Sequence, residues 1–282
     1  MAITVDQIKE LRAKTSAGMA DCKKALEESD GDMEKAIEYL RKKGAALATK
    51  RADKAANEGA IKSKISGDKS TGVIIEVNCE TDFVSKGDDF QKFAEDIAQA
   101  ALDNTPGSVD ELLNTSVNGL TVQQKIDEMM GKVGEKIELK DFKTVKVDGG
   151  FVSEYIHFGS KLGSLIGIKG QATDDAVDIG NKIAMQIVAM NPIAINRAGI
   201  TDDVIAKEKE IYTTQSQNEG KPENIIEKIV NNKVEKFYQD NTLLEQEYIQ
   251  DPDKNVQGLL DEFEKKSGNK LELVEMVRLQ LG

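Results

Sequence analysis

A single histidine, His157, and two cysteines, Cys22 and Cys79, are the side chains of this 282-residue chain best suited to acid-base or nucleophilic chemistry. One imidazole cannot supply a two-histidine metal set, and its place in a strand pattern suits packing or a surface contact better than proton transfer. A thiol nucleophile would need Cys22 or Cys79 beside His157, and no motif around either cysteine marks an activated thiolate. The two also lack metal-ligand spacing, so free, buried cysteines of a reducing compartment are the plain reading. Acidic runs such as Asp202 with Asp203 and Asp261 with Glu262 read as helix starts and solvated faces. Gly163, Gly167 and Gly170 lie along a strand, without the strand-to-helix placement or terminal lysine of a phosphate cradle. No catalytic residue, no metal site and no cofactor is expected; function should lie in surfaces.

Composition narrows which surfaces. Thirty-eight Lys and Arg stand against 50 Asp and Glu, a formal charge of -12, which opposes nonspecific attachment to nucleic acid or an anionic membrane. Aromatics make up 5%, with no tryptophan, and basic and aromatic residues do not interleave as single-strand binding requires. Asp6, Lys9, Glu10 and Arg12 interrupt residues 1–14, so the start of the chain does not read as a signal peptide. Nor does any run approach the roughly 18 apolar residues of a membrane helix. A cytoplasmic protein that meets other proteins is the expectation.

The elements that must position these residues begin with helices. Residues 4–14 open on a capping-box pattern, Thr4 and Gln7, and set Val5, Ile8 and Leu11 on one side. After a turn at 15–18, Cys22, Ala25 and Leu26 repeat the helical spacing in a second helix that Ser29, Asp30 and Gly31 stop, and Met33, Ala36, Ile37 and Leu40 predict a third helix ending at Gly44. Residues 45–56 read as an exposed helical connector. From Gly59 the period switches to two, predicting a hairpin with its turn at 67–70 and a second arm that sets Val73, Ile75, Val77 and Cys79 on one face. A loop over 80–89 follows, then an amphipathic helix through Phe90, Phe93, Ile97 and Ala101. After a helix over 121–133 and strand material over 135–147, a similar order recurs: strands at 151–157 and 162–169, then a helix to Pro192. This predicts a duplicated sheet-plus-helix unit. Into the second unit is inserted a helical hairpin over 201–240, with Pro222 at a first helical position and a stripe through Ile225, Ile226, Ile229, Val230, Val234 and Phe237. That stripe packs internally or meets another protein, a second copy included. A short helix at 256–263 and an apolar alternation over 271–277 close the chain.

The segment Thr15, Ser16, Ala17, Gly18, Met19, Ala20, Asp21, Cys22, Lys23, Lys24 closely resembles the N-terminal signature of the bacterial translation elongation factor Ts family. The run Glu76, Val77, Asn78, Cys79, Glu80, Thr81, Asp82, Phe83, Val84 resembles its second signature. Lys132, Val133, Gly134, Glu135 and Tyr155, Ile156, His157 resemble further family positions, and order and spacing agree over nearly the whole chain. Ser16 stands where the family commonly has glycine, and Glu247 where it commonly has proline. The resemblance implies an α+β fold in three parts: a ubiquitin-associated-like three-helix bundle with linker over 1–56, a core N-subdomain over 57–147, and a core C-subdomain over 148–282 that carries the hairpin and a C-terminal module. It also implies a guanine-nucleotide exchange factor, not an enzyme, whose partner is the GTP-binding elongation factor Tu. By the family's pattern Thr81, Asp82, Phe83 and Val84 intrude beside the partner's magnesium and nucleotide. Met19, Asp21 and Lys23 would touch its nucleotide domain, with Val133 and Gly134 as further partner-binding positions, and His157 would face another of its domains.

The physics beside the resemblance is differential binding: a factor speeds release only if it binds the nucleotide-free partner better than the loaded one. Phe83 is the chosen wedge, since burying it contributes roughly 1.5–3 kcal/mol, and Asp82 is placed to disturb the partner's octahedral magnesium shell. On residue type alone Phe83 would fold back on the helix at Phe90, Met19 would be core, and Lys23 and Lys24 a solvated face. Two rivals remain open at this point: an adaptor built on the N-terminal bundle, and a thiol-dependent enzyme using Cys79.

Overall fold

The computed structural model describes residues 3–15 and 17–282; Ser16, and with it the departure from glycine, lies outside them. The chain opens with three helices, α1 (Val5–Thr15), α2 (Met19–Glu28) and α3 (Met33–Lys50). Two strands follow, β1 (Glu58–Ile65) and β2 (Thr71–Cys79), then a single helical turn α4 (Asp82–Ser85), the long helix α5 (Asp88–Asn104) and the short α6 (Val109–Asn114). A two-residue ladder of β3 (Ser116–Val117) and β4 (Leu120–Thr121) leads into α7 (Val122–Val133) and β5 (Ile137–Lys146). Next come β6 (Gly150–Ile156), β7 (Leu162–Lys169) and α8 (Asp174–Met190), then the hairpin of α9 (Asp202–Asn218) and α10 (Glu223–Asn241). A small ladder of β8 (Glu247–Tyr248) and β9 (Asp251–Asn255), helix α11 (Val256–Ser267) and strand β10 (Glu272–Gln280) end it.

Among the described residues the fold is thus a mixture of eleven α-helices with small antiparallel sheets. Two three-stranded sheets carry the core, in the orders β1-β2-β5 and β10-β7-β6. In each the second strand of its hairpin lies central and a strand that returns after a helix completes the sheet, so one connectivity occurs twice. The alternation along β2 explains the layering. Val73, Ile75, Val77 and Cys79 face α5 in one cluster with Phe90, Phe93 and Ile97, while Ile74 points the other way. It joins Ile61, Val145, Val152, Leu165 and Leu279, drawn from both sheets. The second sheet places Phe151, Ile166 and Ile168 against Ile183 and Ile187 of α8. The layers therefore run helix, sheet, sheet, helix. Gly163 belongs to this packing and not to a phosphate site: a Cβ there would stand 2.5 Å from Ile156 Cδ1 and 2.9 Å from Ile61 Cγ2.

Several local expectations change. The Thr4 capping box forms, with Thr4 N–H donating to Gln7 Oε1 at 3.0 Å and Gln7 N–H to Thr4 Oγ1 at 3.2 Å, yet Val5 is exposed rather than inward. Gly44 does not end α3, which runs on to Lys50, because the helix lies along α7: a Cβ on Gly44 would be 2.2 Å from the Asp127 carbonyl oxygen. Residues 45–56 are consequently no free connector; Leu47 and Ala48 pack on the first sheet's core and Ala56 is buried. Pro222 sits one position ahead of α10, as its N-cap. In the hairpin, Val230 and Val234 are buried, Val234 among Ile200, Ile205 and Phe237, whereas Ile225 and Ile211 are exposed. Among the described residues no helix is long and apolar enough to cross a membrane.

Candidate functional site

The segment read as a loop over 80–89 contains a capped turn instead. Thr81, at extended φ and ψ, accepts the Val84 N–H on its hydroxyl at 3.4 Å and starts α4. Lys86 and Gly87 donate back to the Asp82 and Val84 carbonyls, so the turn closes before α5 begins. The turn sends Val84 and Ser85 inward, Val84 against the first sheet's core, and leaves Phe83 on its outer side, 87% exposed. The fold-back reading of that ring is therefore wrong. Asp82 pairs with Lys86 at 2.7 Å, and this hydrogen bond with its charge attraction holds the Asp82 carboxyl below its ordinary range.

Two short stretches anchor the turn. Beyond the last pair of the β2–β5 ladder, Cys79 with Ile137, backbone pairing gives way to side chains. Glu135 accepts from Thr81 N at 3.0 Å and from Thr81 Oγ1 at 2.8 Å, while Glu80 accepts from Lys136 N at 2.6 Å. Glu80 also receives Arg51 Nη1 at 2.7 Å, from just past the end of α3. Burial alone would raise the Glu80 carboxyl, but the Lys136 amide and the Arg51 guanidinium outweigh it and hold it below its usual range.

The other predicted positions lie on the helical bundle, at the end of α7 and in the β6–β7 turn. Met19 is exposed, against its core reading, and Lys23 is exposed as a solvated lysine. Asp21 reaches across to Lys43 of α3, and Asp21 and Lys43 then line an open groove of about 630 Å³ with Leu47, Lys50, Val133 and Gly134. Gly134 ends α7 in the left-handed region, φ 76°, one residue before Glu135. His157 comes from the second sheet: it is exposed in the turn between β6 and β7, its Nδ1 3.1 Å from the Tyr155 hydroxyl. That turn is fastened to the first sheet by Ile61 N–H donating to Ser160 O at 2.7 Å and by Lys161 paired with Glu58 at 2.8 Å.

Sequence reading missed Phe158, next to His157 and 97% exposed. An aromatic outside any periodic stripe, followed by glycine, was the available signal. It missed too what Arg51, Glu80 and Glu135 hold, since no local pattern pairs residues 29 to 56 positions apart.

Neither cysteine offers a nucleophile. Both are free and buried; burial first, with the neighbouring Glu135 charge, pushes the Cys79 thiol up to about 12, leaving almost no thiolate at neutral pH. Native protein held with iodoacetamide at pH 8 should keep Cys79 unmodified on peptide mass analysis and lose that protection once unfolded in guanidinium. Rapid labelling of the folded chain would revive the thiol reading. No group of three or more His, Cys, Asp or Glu able to hold a metal occurs among the described residues.

The fold and site define a mixed α/β protein whose two most exposed aromatic side chains, Phe83 and Phe158, stand on turns tied to the first sheet. Sequence relationships make the class specific. The family described as Elongation factor TS matches residues 80–282. Elongation factor Ts of Chlorobium phaeobacteroides (strain BS1) is 47% identical over 284 aligned residues, covering 99% of each chain. That of Chloroherpeton thalassium is 46% identical over 99% of this chain and 98% of its own. The chain belongs to the elongation factor Ts family, and with it to the elongation factors of protein biosynthesis.

Proposed function

We propose that this chain is the guanine-nucleotide exchange factor of elongation factor Tu, and that it acts in the cytoplasm by pressing the Thr81, Asp82, Phe83, Val84 turn beside the partner's magnesium and nucleotide. The observation that carries the reading is an aromatic ring 87% exposed on a turn whose backbone is capped and tied on both sides. Exposed phenylalanine gains free energy only by entering a pocket elsewhere, and a rigid turn enters without losing much entropy. Asp82 brings a carboxylate to the same point, where magnesium tolerates little distortion of its octahedron.

The remaining predicted contacts fit a broad partner. In this reading residues 1–56 form a ubiquitin-associated-like bundle whose Met19, Asp21 and Lys23 meet the nucleotide domain, with Val133 and Gly134 beside them. Residues 57–147 and 148–282 are the two core subdomains, and His157, together with Phe158, reaches a second domain of the partner. The hairpin over 201–240 keeps Ile211 and Ile225 exposed and is the element through which two copies would associate. No cofactor and no nucleic acid enters the scheme.

Linkage supplies the test. Whatever this chain does to the partner's nucleotide affinity, the nucleotide does to the affinity for this chain. Immobilised protein should retain elongation factor Tu stripped of nucleotide and release it when millimolar GDP is added. Retention that ignores GDP would favour the adaptor reading instead.

A further inference from the structure

We infer that Glu135 is a positioning residue for exchange, the outer half of a reciprocal clasp that holds Phe83 in its presented orientation. The inference rests on the exchange reading above. The clasp begins where the β2–β5 ladder ends. Continued pairing would set residue 80 against 136 and 81 against 135; instead each dipeptide offers its glutamate carboxylate to the other's backbone. Glu80 accepts from Lys136 N at 2.6 Å, and Glu135 accepts from Thr81 N at 3.0 Å. A carboxylate reaches further than a carbonyl, so the two strands can separate here without leaving those amides unpaired.

The Thr81 hydroxyl then passes the constraint on. It donates to Glu135 Oε1 at 2.8 Å and accepts the Val84 N–H at 3.4 Å. With its proton committed to Glu135, the oxygen keeps its lone pairs turned toward α4, so the carboxylate fixes the hydroxyl rotor and the rotor fixes the helix start. Phe83 is the second residue of that turn. Arg51 braces the other side through Glu80 at 2.7 Å, which ties the presented ring to the end of α3 as well. The hydrogen bonds of Glu135 go to Thr81, not to the exposed ring or to Asp82, which pairs with Lys86; its part is to remove the freedom the turn would otherwise lose when it meets a partner.

The test uses the full chain and elongation factor Tu loaded with fluorescent GDP. Glu135→Ala should lower the maximal release rate at saturating factor about tenfold, while the factor concentration giving half-maximal effect moves less, because ordering of the turn is lost rather than contact area. Glu135→Gln, which keeps one acceptor oxygen, should recover part of the rate. In a Phe83→Ala background Glu135→Ala should add almost nothing, the signature of two residues acting as one unit. Hydrogen exchange read in parallel should show lost protection at residues 81–87 and little change elsewhere. Rates that multiply independently in the double variant overturn the positioning role. Unchanged protection at 81–87 overturns the clasp while exchange stands, whereas a loosened turn in a factor that never released GDP overturns the exchange reading and this role with it.

Discussion

Phe83→Ala slows factor-stimulated GDP release about ten- to hundredfold and leaves the folded protein as stable as before. The size follows from the ring's own transfer free energy. Burying a phenylalanine contributes roughly 1.5–3 kcal/mol, and each tenfold change in the nucleotide's hold corresponds to about 1.4 kcal/mol. The whole of that contribution counts toward release only if the pocket exists in the nucleotide-free partner and not in the loaded one. The silence in stability follows from exposure: at 87% exposed the ring contributes almost nothing to its own fold, and α4 is held by Thr81, Glu135 and the backbone instead. Stopped-flow release of fluorescent GDP, read beside a thermal melt, separates the two quantities. A melt that falls several degrees would mean the ring packs at home in solution. Unchanged release with an unchanged melt would remove the wedge and leave the family membership without this mechanism.

How far the sequence foretold this arrangement depended on the range of the interactions involved. Period-two and period-3.6 patterns located β2, α5, α8 and α11, because burial of one face is written in neighbouring residues. The helix over 121–133 was legible for the same reason, whereas the capping box of Thr121 with Gln124 that starts it was not read from the sequence. The character of the 80–89 segment was not. Its one helical turn has too few residues to show a period, and its stability comes from Glu135 and Arg51, distant in sequence. Phe83 illustrates the division well. Residue type alone sends a phenylalanine inward, and only the motif as a whole argued for leaving it outside. Phe158 had no motif to speak for it, and its exposure followed from the tight turn that Gly159 and Ser160 make with positive φ. Gly44 misled most. Gly44 carries the composition of a helix stop, and its actual role depends on a second helix some eighty residues further along.

That second helix makes Gly44→Ala the sharpest stability test in the molecule, because two effects of opposite sign compete there. In an isolated helix the change is favourable by about 0.5–1 kcal/mol, through reduced backbone freedom. Here the new Cβ would lie 2.2 Å from the Asp127 carbonyl oxygen and 2.9 Å from its carbon. Those are backbone atoms of α7, held in a helix and unable to turn aside as a side chain would. The opposing Gly131 allows the same close approach, its own added Cβ meeting the Gly44 Cα at 3.5 Å. Relief requires α3 and α7 to move apart, which strains Arg41 with Glu128 at 2.8 Å and loosens Leu47 and Ala48 from the first sheet. Overpacking of this kind costs about 1–3 kcal/mol, enough to reverse the propensity gain. The variant should therefore melt lower and show faster proteolysis between Arg51 and Glu58, while Lys42→Ala, exposed on the same helix, should change neither. Because Arg51 follows α3 directly and holds Glu80, displacing α3 also slackens one side of the turn that bears Phe83, so GDP release should slow as well. A Gly44→Ala protein that melts higher than wild type would show that α3 swings free of α7 in solution and that the bundle reaches its partner without guidance from the core.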